Sequence, residues 1–291
     1  MKNMNRLNLI IYTFIIVAFS SCNNDDDNTS SNPFEQISDI ATQHGNLEGN
    51  IVVVVAQGGP STTLEDGDIS EVIEETETQS ALWVNVHQVQ TKDPNLFTDS
   101  DITFEQAKQF DLQSTAYLKR VVDFYKNQQG KTVYVIGVSF GSFVVQDLIA
   151  AHGVDIADGY LILGNRLAVD DVSWQNHSEG QFVAYIYDDN GDYTIELEND
   201  PYFDTIEQRN MAKLIAGFAF NRYTERLDNN VSLSKVTYIY GSRDEIAGPL
   251  SAQELEFLND KGAKIGRVEG GGHDDAIGTG VNILKEVFGI E

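Results

Sequence analysis

The stretch Lys131-Thr-Val-Tyr-Val-Ile-Gly137-Val138-Ser139-Phe140-Gly141-Ser142-Phe143 limits what this chain can fold into more than any other. Its first half is rich in Val, Ile and Tyr and reads as a buried strand. The continuation from Ser142 to His152 has the apolar spacing of a helix. Between them stands Gly-x-Ser-x-Gly. A strand that runs straight into a helix needs a sharp turn, and a serine at its tip sits in strained backbone. Glycines two before and two after let strand and helix pass close together. The free N–H groups at the helix start then face the serine and favour developing negative charge. The same pattern also recurs as a plain turn, so the rest of the chain has to supply a base and an acid.

The regular part of the chain alternates strand and helix. Asn50-Ile-Val-Val-Val-Val-Ala56 has four valines in a row, which cannot alternate between a wet and a dry face. Such a strand is covered on both sides, as in a parallel sheet between helices. A helix is predicted around Ile69–Glu77, a strand over Ala81–His87, and a long helix over residues 103–129 that stops at Gly130. After the central strand and helix come strands at Gly159–Leu163, Lys235–Tyr240 and Lys264–Val268, with helices over 249–261 and about 279–288. Residues 34–48 read as a weak amphipathic segment of no definite structure. The alternation breaks over 168–232, where Gln181–Tyr187 and Tyr193–Leu197 flank an Asn-Gly turn, a strong hairpin signal, before a helix from about Thr205 to Arg226. The Asp/Asn cluster at that turn lacks the length and closing Glu of a calcium loop.

Parallel strands joined by crossovers carry their functional loops at the strands' C-terminal ends. Ser139, Asp244 and His273 each follow a strand in this way. The order serine, acid, histidine, together with the elbow, resembles the α/β-hydrolase superfamily. The resemblance spans residues 50–288 outside 168–232. It implies an α/β fold with a mainly parallel, doubly wound sheet and a cap inserted at about 168–232. It also implies a nucleophile at Ser139, a base at His273 and an orienting carboxylate at Asp244. Three glycines ahead of His273 are expected to form a loop that brings it to the elbow. His87, at the end of a strand, is the one serious rival. His44, His152 and His177 are placed less well. Tyr-Gly-Ser-Arg-Asp resembles the Gly-x-x-Asp loop of many such hydrolases and favours Asp244 over Glu245; Glu245, Asp274 and Asp275 read as solvated turn acids. Phe140 and a glycine of Gln57-Gly58-Gly59-Pro60 are the expected oxyanion donors, Gly59 ahead of Gly58, since Pro60 has no N–H. That loop resembles the His-Gly-Gly-Pro stretch of proline-iminopeptidase-like hydrolases, with Gln57 in place of the histidine. Trp174, Phe182, Tyr185, Tyr187, Tyr202, Phe203, Phe218, Phe220 and Tyr223 are expected to build the core of the cap and part of a pocket ceiling.

The start of the chain follows different rules. Lys2 and Arg6 precede an apolar run from Leu7 to Phe19 and then Ser20-Ser21-Cys22, the pattern of a secretion signal too short to span a bilayer comfortably. Phe-Ser-Ser-Cys resembles a bacterial lipobox, and Cys22 is the single cysteine of the chain. The expected organisation is a lipoprotein signal over 1–21, an acidic tether over 22–33 and a hydrolase domain over 34–291. The acidic residues after Cys22 resemble the export signal of Bacteroidetes surface lipoproteins. This implies a cell-envelope lipoprotein of the outer membrane, anchored through Cys22. A net charge of −26 argues against nucleic acid, whose phosphates require Lys and Arg. No dinucleotide fingerprint or metal-ligand spacing is present, so no cofactor and no metal are expected. The expected chemistry is cleavage of an ester, with an amide or peptide as the second choice, in a small-molecule or short-peptide substrate. The competing reading is a surface binding lipoprotein that keeps the scaffold without turnover.

Overall fold

The four valines of the first parallel strand divide their side chains between the two faces of a sheet, and both faces are buried. Val52 and Val54 belong to one apolar cluster and Val53 and Val55 to the other. A computed structural model describes residues 33–219, 226–227 and 232–290. The expectations for Cys22, the signal and the tether up to residue 32 lie outside these residues.

The main sheet has seven strands: β1 (Ala41–Gly45), β2 (Ile51–Ala56), β3 (Leu82–Val86), β4 (Thr132–Val138), β5 (Gly159–Leu163), β8 (Val236–Gly241) and β9 (Lys264–Val268), in the order β1-β3-β2-β4-β5-β8-β9. All pairs are parallel except β1 with β3. The weak amphipathic segment over 34–48, given no assignment from the sequence, supplies β1, which pairs from Ala41↔Val86 to Gly45↔Leu82. Its sequence, Ala-Thr-Gln-His-Gly, has no apolar alternation, and the exposed edge of β3 decides its conformation.

The helices are α1 (Asp66–Glu75), the single turns α2 (Val89–Lys92) and α3 (Asn95–Thr98), α4 (Phe104–Asp123), α5 (Gly141–His152), α6 (Asp171–Ser178), α7 (Ile206–Ala219), α8 (Ala252–Asp260) and α9 (His273–Phe288). Helix α4 ends in a π-helical turn, Phe124–Gln128, ahead of Gly130. One face of the sheet is covered by α4, α5 and α8 through residues such as Leu118, Leu148 and Leu258. Among the described residues, the other is covered by α1 and α9, through Ile69, Ile73, Leu284 and Phe288.

Between β5 and β8 the cap leaves the sheet as α6, an antiparallel hairpin of β6 (Val183–Tyr187) and β7 (Tyr193–Leu197), and α7. A buried ion pair fixes the point of departure. Arg166 meets Glu254 of α8 at 3.2 Å and Asp170 at 2.6 Å. Glu254 also accepts the backbone N–H groups of Leu167 and Ala168.

Strand order sets the place of the site. The chain runs from β2 outward to β3, then returns to the other side of β2 for β4. The order therefore reverses between β2 and β4, and a crevice opens at the C-terminal ends of such a pair. The loop after β2 begins at Gln57 and the turn after β4 holds Ser139.

Candidate active site

Ser139 is one of two non-glycine residues with positive φ among those described, at +47°. The turn is held from three sides. The Ser139 N–H donates to Leu163 O at 2.8 Å, Asn165 Nδ2 donates to Ser139 O at 2.7 Å, and the Ser142 N–H donates to the same carbonyl at 2.9 Å. The flanking glycines are there for space. A Cβ on Gly137 would lie 2.7 Å from Ser142 Cα, and one on Gly141 would collide with the Ala56 carbonyl.

The three predicted side chains meet. Ser139 Oγ lies 2.9 Å from His273 Nε2, and His273 Nδ1 lies 2.8 Å from Asp244 Oδ2. The other Asp244 oxygen accepts the N–H groups of Ile246 and Ala247 at 3.0 and 2.8 Å. Asp244 is 1% exposed and His273 4%, so this pairing is shielded from water. Burial by itself lowers the basicity of His273. The hydrogen bond and charge of Asp244, with the charges of Glu245 and Asp274, outweigh it and hold the imidazole above the ordinary histidine value.

After the glycine loop 270–272, which follows β9 as expected, His273 enters a helix at once. It is the first residue of α9, which begins six residues earlier than predicted, because the Asp275 carboxylate accepts the Gly272 N–H and closes the first turn. Glu245 and Asp275 are therefore more than solvated turn acids: Glu245 Oε2 accepts the His273 N–H at 3.2 Å. Asp274, exposed, adds only its charge toward His273. His87 is elsewhere, with Nδ1 3.0 Å from Thr91 Oγ1. His177 Nδ1 donates to Gln181 O at 3.0 Å, and burial pushes its pKa down to about 4.

Among the described residues, no protein acceptor takes the N–H of Phe140, Gly58 or Gly59. Gly59 has φ of +131°, a conformation L-residues avoid, and an added Cβ on Gly58 would be 3.5 Å from Ser139 Cβ. Gln57, which replaces a histidine in the stretch it resembles, braces this loop. Its Nε2 donates to Thr63 O at 2.8 Å, its Oε1 accepts the Glu65 N–H at 2.9 Å, and its own carbonyl accepts from Gln88 Nε2 at 3.0 Å.

The hairpin of the cap is tied to the acid loop. The Tyr185 N–H donates to Glu245 O and Tyr187 Oη donates to Asp244 O, both at 2.9 Å. Phe182 and Tyr185 line a small lobe of about 100 Å³ beside Ser139. Phe218 packs against Phe140, Phe203 against Phe182, and Trp174 against Phe104. Tyr202 is exposed, and Phe220 and Tyr223 lie outside the described residues. Sequence reading gave no role to Asn165, Glu245 or Gln88. Each acts through a backbone group brought near by folding, which leaves no local pattern. No cluster of three or more His, Cys, Asp or Glu side chains suited to a metal occurs among the described residues.

The sheet, crossovers and cap define the α/β-hydrolase fold. Solved structures of that fold are similar along most of this chain. A thermostable carboxyl esterase from Bacillus coagulans superposes with a TM-score of 0.54 at 14% identity, over 86% of this chain and 93% of that one. An α/β hydrolase from a Medee basin deep-sea metagenome gives 0.52 at 11% identity, over 86% and 93%. A bromoperoxidase from Bacillus anthracis gives 0.51 at 16% identity, over 86% and 95%. No family model and no curated protein matches the sequence.

Proposed function

We propose that this protein is a serine hydrolase that cleaves an ester bond, with an amide or peptide bond as the second choice, through an acyl-enzyme. The observation that carries this reading is His273, bonded on one nitrogen to Ser139 and on the other to a buried carboxylate. The fold alone does not choose a chemistry.

In the first half-reaction Ser139 Oγ attacks the acyl carbon as His273 Nε2 takes its proton. Asp244 holds the proton on Nδ1 and stabilises the imidazolium. The oxyanion lies against the N–H groups of Phe140 and Gly59, each worth about 3–4 kcal/mol in such a site. When the intermediate collapses, His273 returns the proton to the leaving oxygen. Water then enters, gives its proton to His273 and attacks the ester of Ser139. The second collapse restores the serine and releases the acid.

The decisive experiment treats the protein with a fluorophosphonate probe beside Ser139→Ala. Labelling of the native chain alone, with hydrolysis of short p-nitrophenyl esters, is expected. Neither would leave a binding lipoprotein on a hydrolase scaffold. The lipobox-like Phe-Ser-Ser-Cys supports attachment to the cell envelope through Cys22, which metabolic labelling with palmitate checks against Cys22→Ala.

A further inference from the structure

The cleft at Ser139 has two unequal lobes, and the larger is not under the cap. It is a slot of about 540 Å³ between the sheet and helices α1 and α9, against about 100 Å³ for the lobe that the cap helps to line. The layer arrangement explains it. On this face α1 packs over β1 and β3, and α9 packs over β5, β8 and β9. The middle strands β2 and β4 are left between two helices that stand apart. Val55, Ile136 and Val138 form the floor of the slot, Val72 lies on the α1 wall, and Ile277 and Val281 lie on the α9 wall. Ser139 and His273 line the same slot, so it opens on the reacting groups. Exposed Glu65 and Asp68 stand at its rim.

Accepting the serine-hydrolase reading above, the geometry points to a substrate class: neutral esters of medium-chain acids with a small alcohol, the acyl chain lying in this slot along the sheet. The apolar floor and walls gain by displacing water onto a hydrocarbon chain. At about 30 Å³ per water-sized group, an eight-carbon chain needs about 240 Å³, which the slot exceeds. The smaller lobe leaves room for a short alkoxy group. The acyl group stays on Ser139 through the second half-reaction, so a chain held between sheet and helices stays in place while the alcohol leaves and water enters. The acidic rim repels a substrate that carries its own carboxylate and helps to expel the fatty acid once it ionises.

The test measures kcat/KM of the full-length protein by pH-stat for methyl esters from acetate to octanoate, and for octyl acetate. Burial of one methylene is worth at most about fourfold, and partial burial over six of them gives a rise of roughly 100-fold from methyl acetate to methyl octanoate. Octyl acetate is expected to stay near methyl acetate. Val281→Phe and Val72→Phe, from opposite walls, fill the slot; each should cut the octanoate-to-acetate ratio at least roughly tenfold while circular dichroism shows a folded chain. A flat acyl profile with Ser139 still labelled by fluorophosphonate overturns the acyl slot and leaves the hydrolase reading intact. A preference for octyl acetate assigns the slot to the alcohol and overturns the proposal too. No turnover of any ester, with no Ser139-dependent labelling, removes the hydrolase reading and this inference with it.

Discussion

Ser139 is held where an L-residue is strained, with φ of +47°. Such a conformation costs on the order of 1–3 kcal/mol, and glycine escapes it while losing about 0.5–1 kcal/mol through greater freedom when unfolded. Ser139→Gly is therefore expected to raise stability by about 1 kcal/mol in urea unfolding and to abolish turnover. His273 gives a second prediction, on pH. In the proposed mechanism it must be neutral to accept the serine proton, and its environment holds it above the ordinary value of 6.5. The acid limb of kcat/KM should therefore have its midpoint above pH 6.5, and Glu245→Gln, which removes one of the charges responsible, should move that limb downward. A raised pKa acts on stability in the opposite sense. The contribution of His273 is fully present below pH 6.5 and is lost as pH rises through the folded value.

At the scale of elements, the site depends on how closely β4, α5 and β2 cross. Gly141 leaves no room for a methyl group against the Ala56 carbonyl. Neither partner can yield, since one is the last residue of a central strand and the other starts a buried helix. Gly141→Ala is expected to cost about 3 kcal/mol or more and to misplace the elbow, seen as a lowered midpoint in thermal unfolding together with loss of fluorophosphonate labelling. These elements were legible because their patterns are local: valine runs, the Gly-x-Ser-x-Gly turn, an Asn-Gly hairpin. Strand β1 and the first six residues of α9 were not. Ala41–Gly45 becomes a strand by pairing with β3, and Gly278 and Gly280 disguise a helix that Asp275 has already started.

For the molecule as a whole, the joint between cap and sheet rests on a buried charge. Arg166 and Glu254 are 6% and 4% exposed at their side chains. Removing one partner leaves the other charged and dry, and breaking such a pair costs about 3–5 kcal/mol. Glu254→Ala should lower stability by that amount in denaturant unfolding, while Glu254→Gln, which can still accept from Leu167 and Ala168, should cost less. The hairpin reaches from this cap to the acid loop through Tyr185 and Tyr187, so loosening the joint is also expected to lower kcat.

The sequence by itself determined the order of the parallel strands and their main helices, the elbow, and the position of Ser139, Asp244 and His273 each just after a strand. Each announces itself through local patterning or through its place after a strand. Tertiary structure alone decided that Gln57 braces the glycine loop, that Asn165 and Glu245 hold the backbone of the serine and the histidine, and that the large apolar space lies beside α1 and α9 rather than beneath the cap. Those are distances between segments far apart in the chain, and a void is set by where two helices fail to meet, which no single stretch of residues encodes.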